Sequence, residues 1–159
     1  MRNRQKGFSL IELLIVVAII LIIAAIAIPN LLRSKMAANE ASAVGSLRTI
    51  NTACVTYSTT YGTGYPAALA NLGPGAPATA AAADLIDGVL SVGTKSGYVF
   101  AYGNVVGGGT TANPNSQYTI NADPVNPGTT GQRHFFTDQT GVIRFDPGAA
   151  ATAASQPLS

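Results

Sequence analysis

The chain has one cysteine, one histidine and no tryptophan, and only 10% of its 159 residues are Lys, Arg, Asp or Glu. Each shortage excludes something. A lone thiol, Cys54, cannot close an internal disulfide, so no covalent staple holds the fold. A lone imidazole, His134, has no second His or Cys at metal-site spacing. Nine basic and seven acidic side chains give a net charge of +2, and three of the basic ones, Arg2, Arg4 and Lys6, come before residue 7. The rest of the chain is close to neutral and offers no basic patch for nucleic acid. Gly and Pro are scarce only in part of the chain. Between Phe8 and Tyr61 the sole ones are Pro29 and Gly45, whereas 23 fall in the 98 residues from Gly62 onward. A breaker-poor front therefore precedes a loop-rich back, which rules out a simple soluble globule.

What the front does have is an apolar run. Leu13 to Ile28 is sixteen residues without a polar side chain, preceded by the three cations. That order matches the positive and hydrophobic regions of an export signal, and Ala25-Ile26-Ala27 offers a cleavage site for a secretory signal peptide. Two features oppose simple removal of this segment. Glu12 places a carboxyl group inside the hydrophobic stretch, at a cost of about 2.5–3.5 kcal/mol at mid-membrane and less near the interface. Beyond Ile28, moreover, a helical pattern continues where a cleaved signal gives way to a new element.

Lys6-Gly7-Phe8-Ser9-Leu10-Ile11-Glu12-Leu13 resembles the processing motif of type IV prepilins and the related type II secretion pseudopilins. The resemblance implies a basic leader over residues 1–7, cleavage between Gly7 and Phe8, and N-methylation of Phe8. It assigns Phe8, Glu12 and Pro29 to assembly. Chemistry gives a separate reason for the acid. Cleavage frees an amine on Phe8, and Glu12 lies four residues on, on the same helix face. In an apolar medium each charge is costly alone, and pairing offsets much of that cost.

The function implied is that of a structural subunit of a bacterial type IV pilus. Such a subunit waits in the inner membrane and then polymerises into a helical homo-oligomer through its amino-terminal helix. Its implied partners are a prepilin peptidase and methylase, an assembly platform and a motor ATPase. No enzymatic activity, cofactor or metal is expected. A pseudopilin of a type II secretion system is the alternative within this class. Outside it stands a signal-anchored or secreted periplasmic binding protein, and further off a secreted enzyme.

A helix is expected over residues 8–61, about 80 Å if unbroken. Residues 8–28 form its transmembrane and assembly part and residues 29–61 its amphipathic part. Leu32, Met36, Val44, Leu47, Ile50, Cys54, Tyr57 and Tyr61 recur mainly at steps of three and four, apart from a gap of eight around Glu40. Arg33, Lys35, Glu40, Ser46 and Arg48 are placed on the other faces. Val44, Leu47, Ile50, Cys54 and Tyr57 are the expected contacts with the head, and Cys54 reads as a small buried hydrophobe.

The head covers residues 62–159. Tyr61 to Pro66 stops the helix, Ala67–Leu72 reads as a short turn, and Ala-rich Ala78–Leu90 as a second, short helix. Four strands are read at Tyr98–Tyr102, Gln117–Asn121, Arg133–Thr137 and Val142–Phe145, with a tight hairpin at Asp138–Gly141 and a flexible tail from Gly148. The fold class is thus α+β, a long helix packed on a four-stranded antiparallel sheet, as in pilins. Gln117–Pro124, Phe135–Asp138 and Gly141–Arg144 are similar to the head of some type IV major pilins. Two departures stand out: one cysteine cannot close the carboxy-terminal disulfide loop of many pilins, and the acidic cluster of the calcium loop in major pseudopilins is missing. His134 reads as a surface or edge residue. Gly107–Thr111 lacks the Lys of a phosphate loop, and Asp84 and Asp87 read as solvated helix positions.

Overall fold

The computed structural model describes residues 8–158. The expected leader, Gly7 included, and Ser159 lie outside the described residues. The chain packs as two units divided between Lys35 and Met36. One helix, α1 (Leu10–Tyr61), crosses that division and continues through Pro29 without interruption. Pro29 has no N–H, so the Ala25 carbonyl lacks its usual donor one turn on. The helix ends where Gly62 turns to φ +67° and donates its N–H to the Ser58 carbonyl at 3.1 Å.

The second unit holds the core. A 3₁₀ turn (Leu69–Leu72) and a one-turn helix α2 (Gly88–Ser91) lead into six strands. These are β1 (Thr94–Lys95), β2 (Tyr98–Val106), β3 (Gln117–Pro124), β4 (His134–Asp138), β5 (Arg144–Asp146) and β6 (Gln156–Pro157). They form one antiparallel sheet in sequential order. The buried stripe of α1 runs through Ala43, Val44, Leu47, Ile50, Ala53, Cys54 and Tyr57, and shares one core with Tyr98, Phe100, Tyr118, Ile120, Ala122 and Phe135 of the sheet. Each fully buried large side chain contributes about 1.5–3 kcal/mol. The buried phenols and that of half-buried Tyr102 are satisfied: Tyr57 donates to the Ala80 carbonyl, Tyr98 to that of Arg133, Tyr102 to that of Pro66 and Tyr118 to the Asn51 side chain.

The connection after α1 is locked onto the loop between β2 and β3. Asn115 donates its backbone N–H to Thr63 and its amide to Tyr65, and accepts from the Tyr65 N–H. A Cβ on Gly64 would lie 2.1 Å from the Asn115 carbonyl oxygen, so only glycine fits there.

Several expectations are corrected. The sheet has six strands, because two-residue β1 and β6 extend the four that were read. Residues 78–87 are not helical; only Gly88–Ser91 is. Backbone N–H groups in this stretch turn instead to the 3₁₀ turn and the glycine that ends it, Ala83 to Asn71, Asp84 to Gly73, and Leu85 and Ile86 both to Leu72. Asp87 is the N-cap of α2, accepting from Leu90 at 2.9 Å, and pairs with Lys95. Asp84 sits at φ +53° in a loop. The last strand of the expected four begins at Arg144, two residues later than read. Asp138–Gly141 is a turn with Gly141 at φ +73°, but the β4–β5 ladder closes only at Phe136 and Arg144, so the connection is wider than a tight hairpin.

The tail is docked, not loose. Asp146 accepts from the N–H groups of Gly148 and Ala149, Asn121 donates to Ala151, Arg144 to Ser155 and Leu158 to Ile143. Ala151 is buried. This strap ties down the carboxy-terminal segment that a disulfide cannot.

Candidate membrane and assembly segment

The first unit owes its character to what it leaves exposed. From Phe8 to Leu32 every described side chain is exposed except partly covered Ala24, including Phe8 at 78%. The α1 segment here is long and apolar enough to cross a membrane, and none of it is buried within the molecule. So much bare apolar surface has no stable home in water.

At the start of α1, Ser9 is the residue before the first helical position and Glu12 stands three further on. The Glu12 Oε2 accepts the Ser9 backbone N–H at 2.9 Å. This is half of a capping box, and it satisfies one of the four donors that a helix start leaves unpaired. The Ser-x-x-Glu spacing carried that signal, and reading Glu12 only as a charge in an apolar run missed it. Glu12 Oε1 remains open for a second donor. Phe8 and Glu12 therefore lie at one end of the apolar helix and Pro29 towards the other, while Gly7 lies outside the described residues.

In the second unit, the α1 side chains Val44, Leu47, Ile50, Cys54 and Tyr57 are buried in the core. Burial pushes the Cys54 thiol up to about 12, against hydrogen bonds with the Tyr102 and Tyr118 hydroxyls that act the other way. A thiol held neutral in this way is a packing group. Glu40 and Ser46, placed by pattern on other faces, are buried as well. Glu40 Oε1 accepts the backbone N–H groups of Gln132 and Arg133, and Oε2 takes the Arg133 Nε at 2.8 Å. Burial raises its carboxyl, but these bonds and the guanidinium outweigh that and hold it below the ordinary carboxylate range.

His134 is half-buried, with Nδ1 2.6 Å from Asp123 Oδ1 on the adjacent strand. The β3–β4 register, which pairs Ala122 with Phe135, places the two side by side. Gly107–Thr111 is exposed in the connection between β2 and β3. No group of three or more His, Cys, Asp or Glu among the described residues is arranged to hold a metal. An open groove of about 360 Å³ on the second unit is lined by Arg48, Thr49, Thr52, Ala53, Thr56 and Leu85.

Residues 2–28 match the model of the prokaryotic N-terminal methylation motif. The chain is also similar to the type IV wide pilus major component PilA4 of Thermus thermophilus, 65% identical over 40 residues, or 25% of this chain and 30% of that one. It is 50% identical over 58 residues to the type IV major fimbrial protein FimA of Dichelobacter nodosus, covering 35% and 37%. With the type IV major pilin protein PilA of Myxococcus xanthus it shares 50% over 50 residues, covering 31% and 23%. The matches thus span between about a quarter and just over a third of those relatives' lengths. Methylation motif, exposed apolar helix and pilin relatives agree: over its amino-terminal segment, the chain carries the N-terminal methylation motif and is similar to type IV major pilins.

Proposed function

We propose that the chain is the structural subunit of a bacterial type IV pilus. The observation that carries this reading is the methylation motif over residues 2–28, whose apolar helical part presents its large side chains bare. Cleavage after Gly7 releases an amine on Phe8, which methylation then modifies. The apolar helix holds the subunit in the inner membrane until assembly transfers it from lipid to the helices of neighbouring copies. Glu12 acts in that transfer. Its carboxylate keeps one oxygen on the Ser9 N–H and offers the other to the Phe8 amine of an adjacent subunit, so that neither charge enters the filament interior alone. A prepilin peptidase and methylase, an assembly platform and a motor ATPase are the partners this route requires. The names of the relatives favour a pilus over a secretion pseudopilus.

Intact-mass measurement of the membrane-bound protein, together with electron microscopy of sheared surface filaments, tests the reading. The expected mature chain begins at methylated Phe8 and is the main subunit of those filaments. An amino terminus after Ala27, as secretory cleavage leaves, overturns it. Gly7→Val should leave an uncleaved, membrane-bound precursor, because the peptidase cleft must then accept a side chain at the scissile bond. Normal processing of that variant is equally fatal to the proposal.

A further inference from the structure

From Leu13 to Leu32, α1 carries no charged side chain. Those twenty residues rise about 30 Å, the thickness of a bilayer's hydrocarbon core. Glu12 closes the run at one end, and Arg33 with Lys35 closes it at the other. Both cations are exposed, and neither makes a hydrogen bond or ion pair among the described residues.

The acids nearest in sequence do not serve them. Glu12 stands at the far end of the run, and Glu40 is buried on Arg133 and the Gln132 N–H. Two positive charges thus remain at the depth where an inserted helix leaves hydrocarbon for headgroups. Arg and Lys at that level lay their apolar stems along the helix and set the charge among phosphates. A spacing of two places them on different sides of α1, so each engages a separate headgroup.

We infer that Arg33 and Lys35 bind the phosphates of anionic lipids, which fix the depth of the helix while the subunit waits in the membrane. The inference rests on the membrane stage of the reading above and adds the lipid class that the reading leaves open. A second copy is a poor partner at this depth. Copies inserted in parallel bring Arg33 and Lys35 level with the same two cations, while Glu12, the one acid between Phe8 and Lys35, lies about 30 Å along the helix. Anionic headgroups relieve that repulsion, whereas zwitterionic ones bring no net charge to it.

The full-length chain is extracted in mild detergent and given an equal mixture of phosphatidylglycerol and phosphatidylcholine, and native mass spectrometry counts each lipid bound. The wild type should favour phosphatidylglycerol. Arg33→Gln and Lys35→Gln should each lower that preference about fivefold, and the double variant should lower it further. The cations of residues 1–7 are common to all these chains and cancel in the comparison. Arg48→Gln, which removes an exposed cation from the other unit, should leave the preference unchanged. Inorganic phosphate should not displace the lipid, because the apolar helix also holds its acyl chains. Equal binding of both lipids by the wild type, or a double variant that keeps the wild-type preference, overturns the inference. So does an equal fall with Arg48→Gln, which net charge alone explains, or displacement by inorganic phosphate. An alkaline wash of cell membranes tests the underlying reading separately. A chain stripped off by the wash overturns the membrane reading and this inference with it; a chain that stays and shows no lipid preference overturns this inference alone.

Discussion

Met36, Glu40, Val44 and Leu47 follow one another on α1 at steps of four, four and three, so spacing alone sets Glu40 on the buried stripe. The gap of eight in the apolar pattern was a polar residue on the packed face, and its partners, Gln132 and Arg133, are too distant in sequence for any local pattern to reveal. Their bonds lower the Glu40 pKa from its ordinary value near 4.5. The stabilisation is therefore complete above that value and is lost as pH falls through the lower, folded one. Glu40→Gln should lower stability at neutral pH by about 1–2 kcal/mol, after allowing for the solvent around the Arg133 guanidinium. Thermal unfolding in detergent should show this gap between wild type and variant closing in acid; a gap of constant size contradicts the ion-pair account. Glu12 calls for a different measurement, because its work lies in assembly. Glu12→Gln keeps an oxygen for the Ser9 N–H but loses the charge, so cleavage and membrane insertion should survive while sheared filaments become scarce. Normal filament yield from Glu12→Gln removes the carboxylate from the mechanism.

At the level of elements, legibility followed the source of the holding forces. The helical stripe and the runs that form β2, β3 and β4 bury side chains, and burial writes a period into sequence. Leu47 is fully buried at the centre of the stripe. Its replacement by Ala should cost about 2–5 kcal/mol, and a loss below about half a kcal/mol in chemical denaturation would mean that the stripe carries little of the core. Residues 78–87 and the tail depart from what their composition predicts because backbone groups hold them. An alanine-rich composition is only a weak prior for helix, and here six N–H groups, those of Thr79 and Ala82 to Ile86, bond to carbonyls outside any α-helix. The tail from Gly148 has small side chains with no period, yet it is fixed to the sheet through Ala151, β6 and the bonds to Asn121 and Ile143. Deleting residues 149–159 should therefore destabilise the head by about 2–4 kcal/mol, from lost burial and hydrogen bonds together. An unchanged melting temperature for that deletion contradicts the docked strap.

Over the whole molecule, the hydrophobic core and the bare apolar surface are lodged in different units. Every residue of the hydrophobic core lies at or after Ala43, inside the unit that begins at Met36. The large side chains of the first unit are exposed throughout its described part, and no side chain of Phe8–Leu32 enters the core. The first unit thus adds little to folding and supplies the surface that lipid or other copies must cover. A chain starting at Met36 should fold on its own, sediment as a monomer and melt in one cooperative step. Added thiol should leave that melt unchanged, since Cys54 is free and buried and the strap does its work without covalent bonds. A shortened chain that unfolds, or that still forms filaments, would show that the apolar helix is a structural part of the head or that assembly does not depend on it.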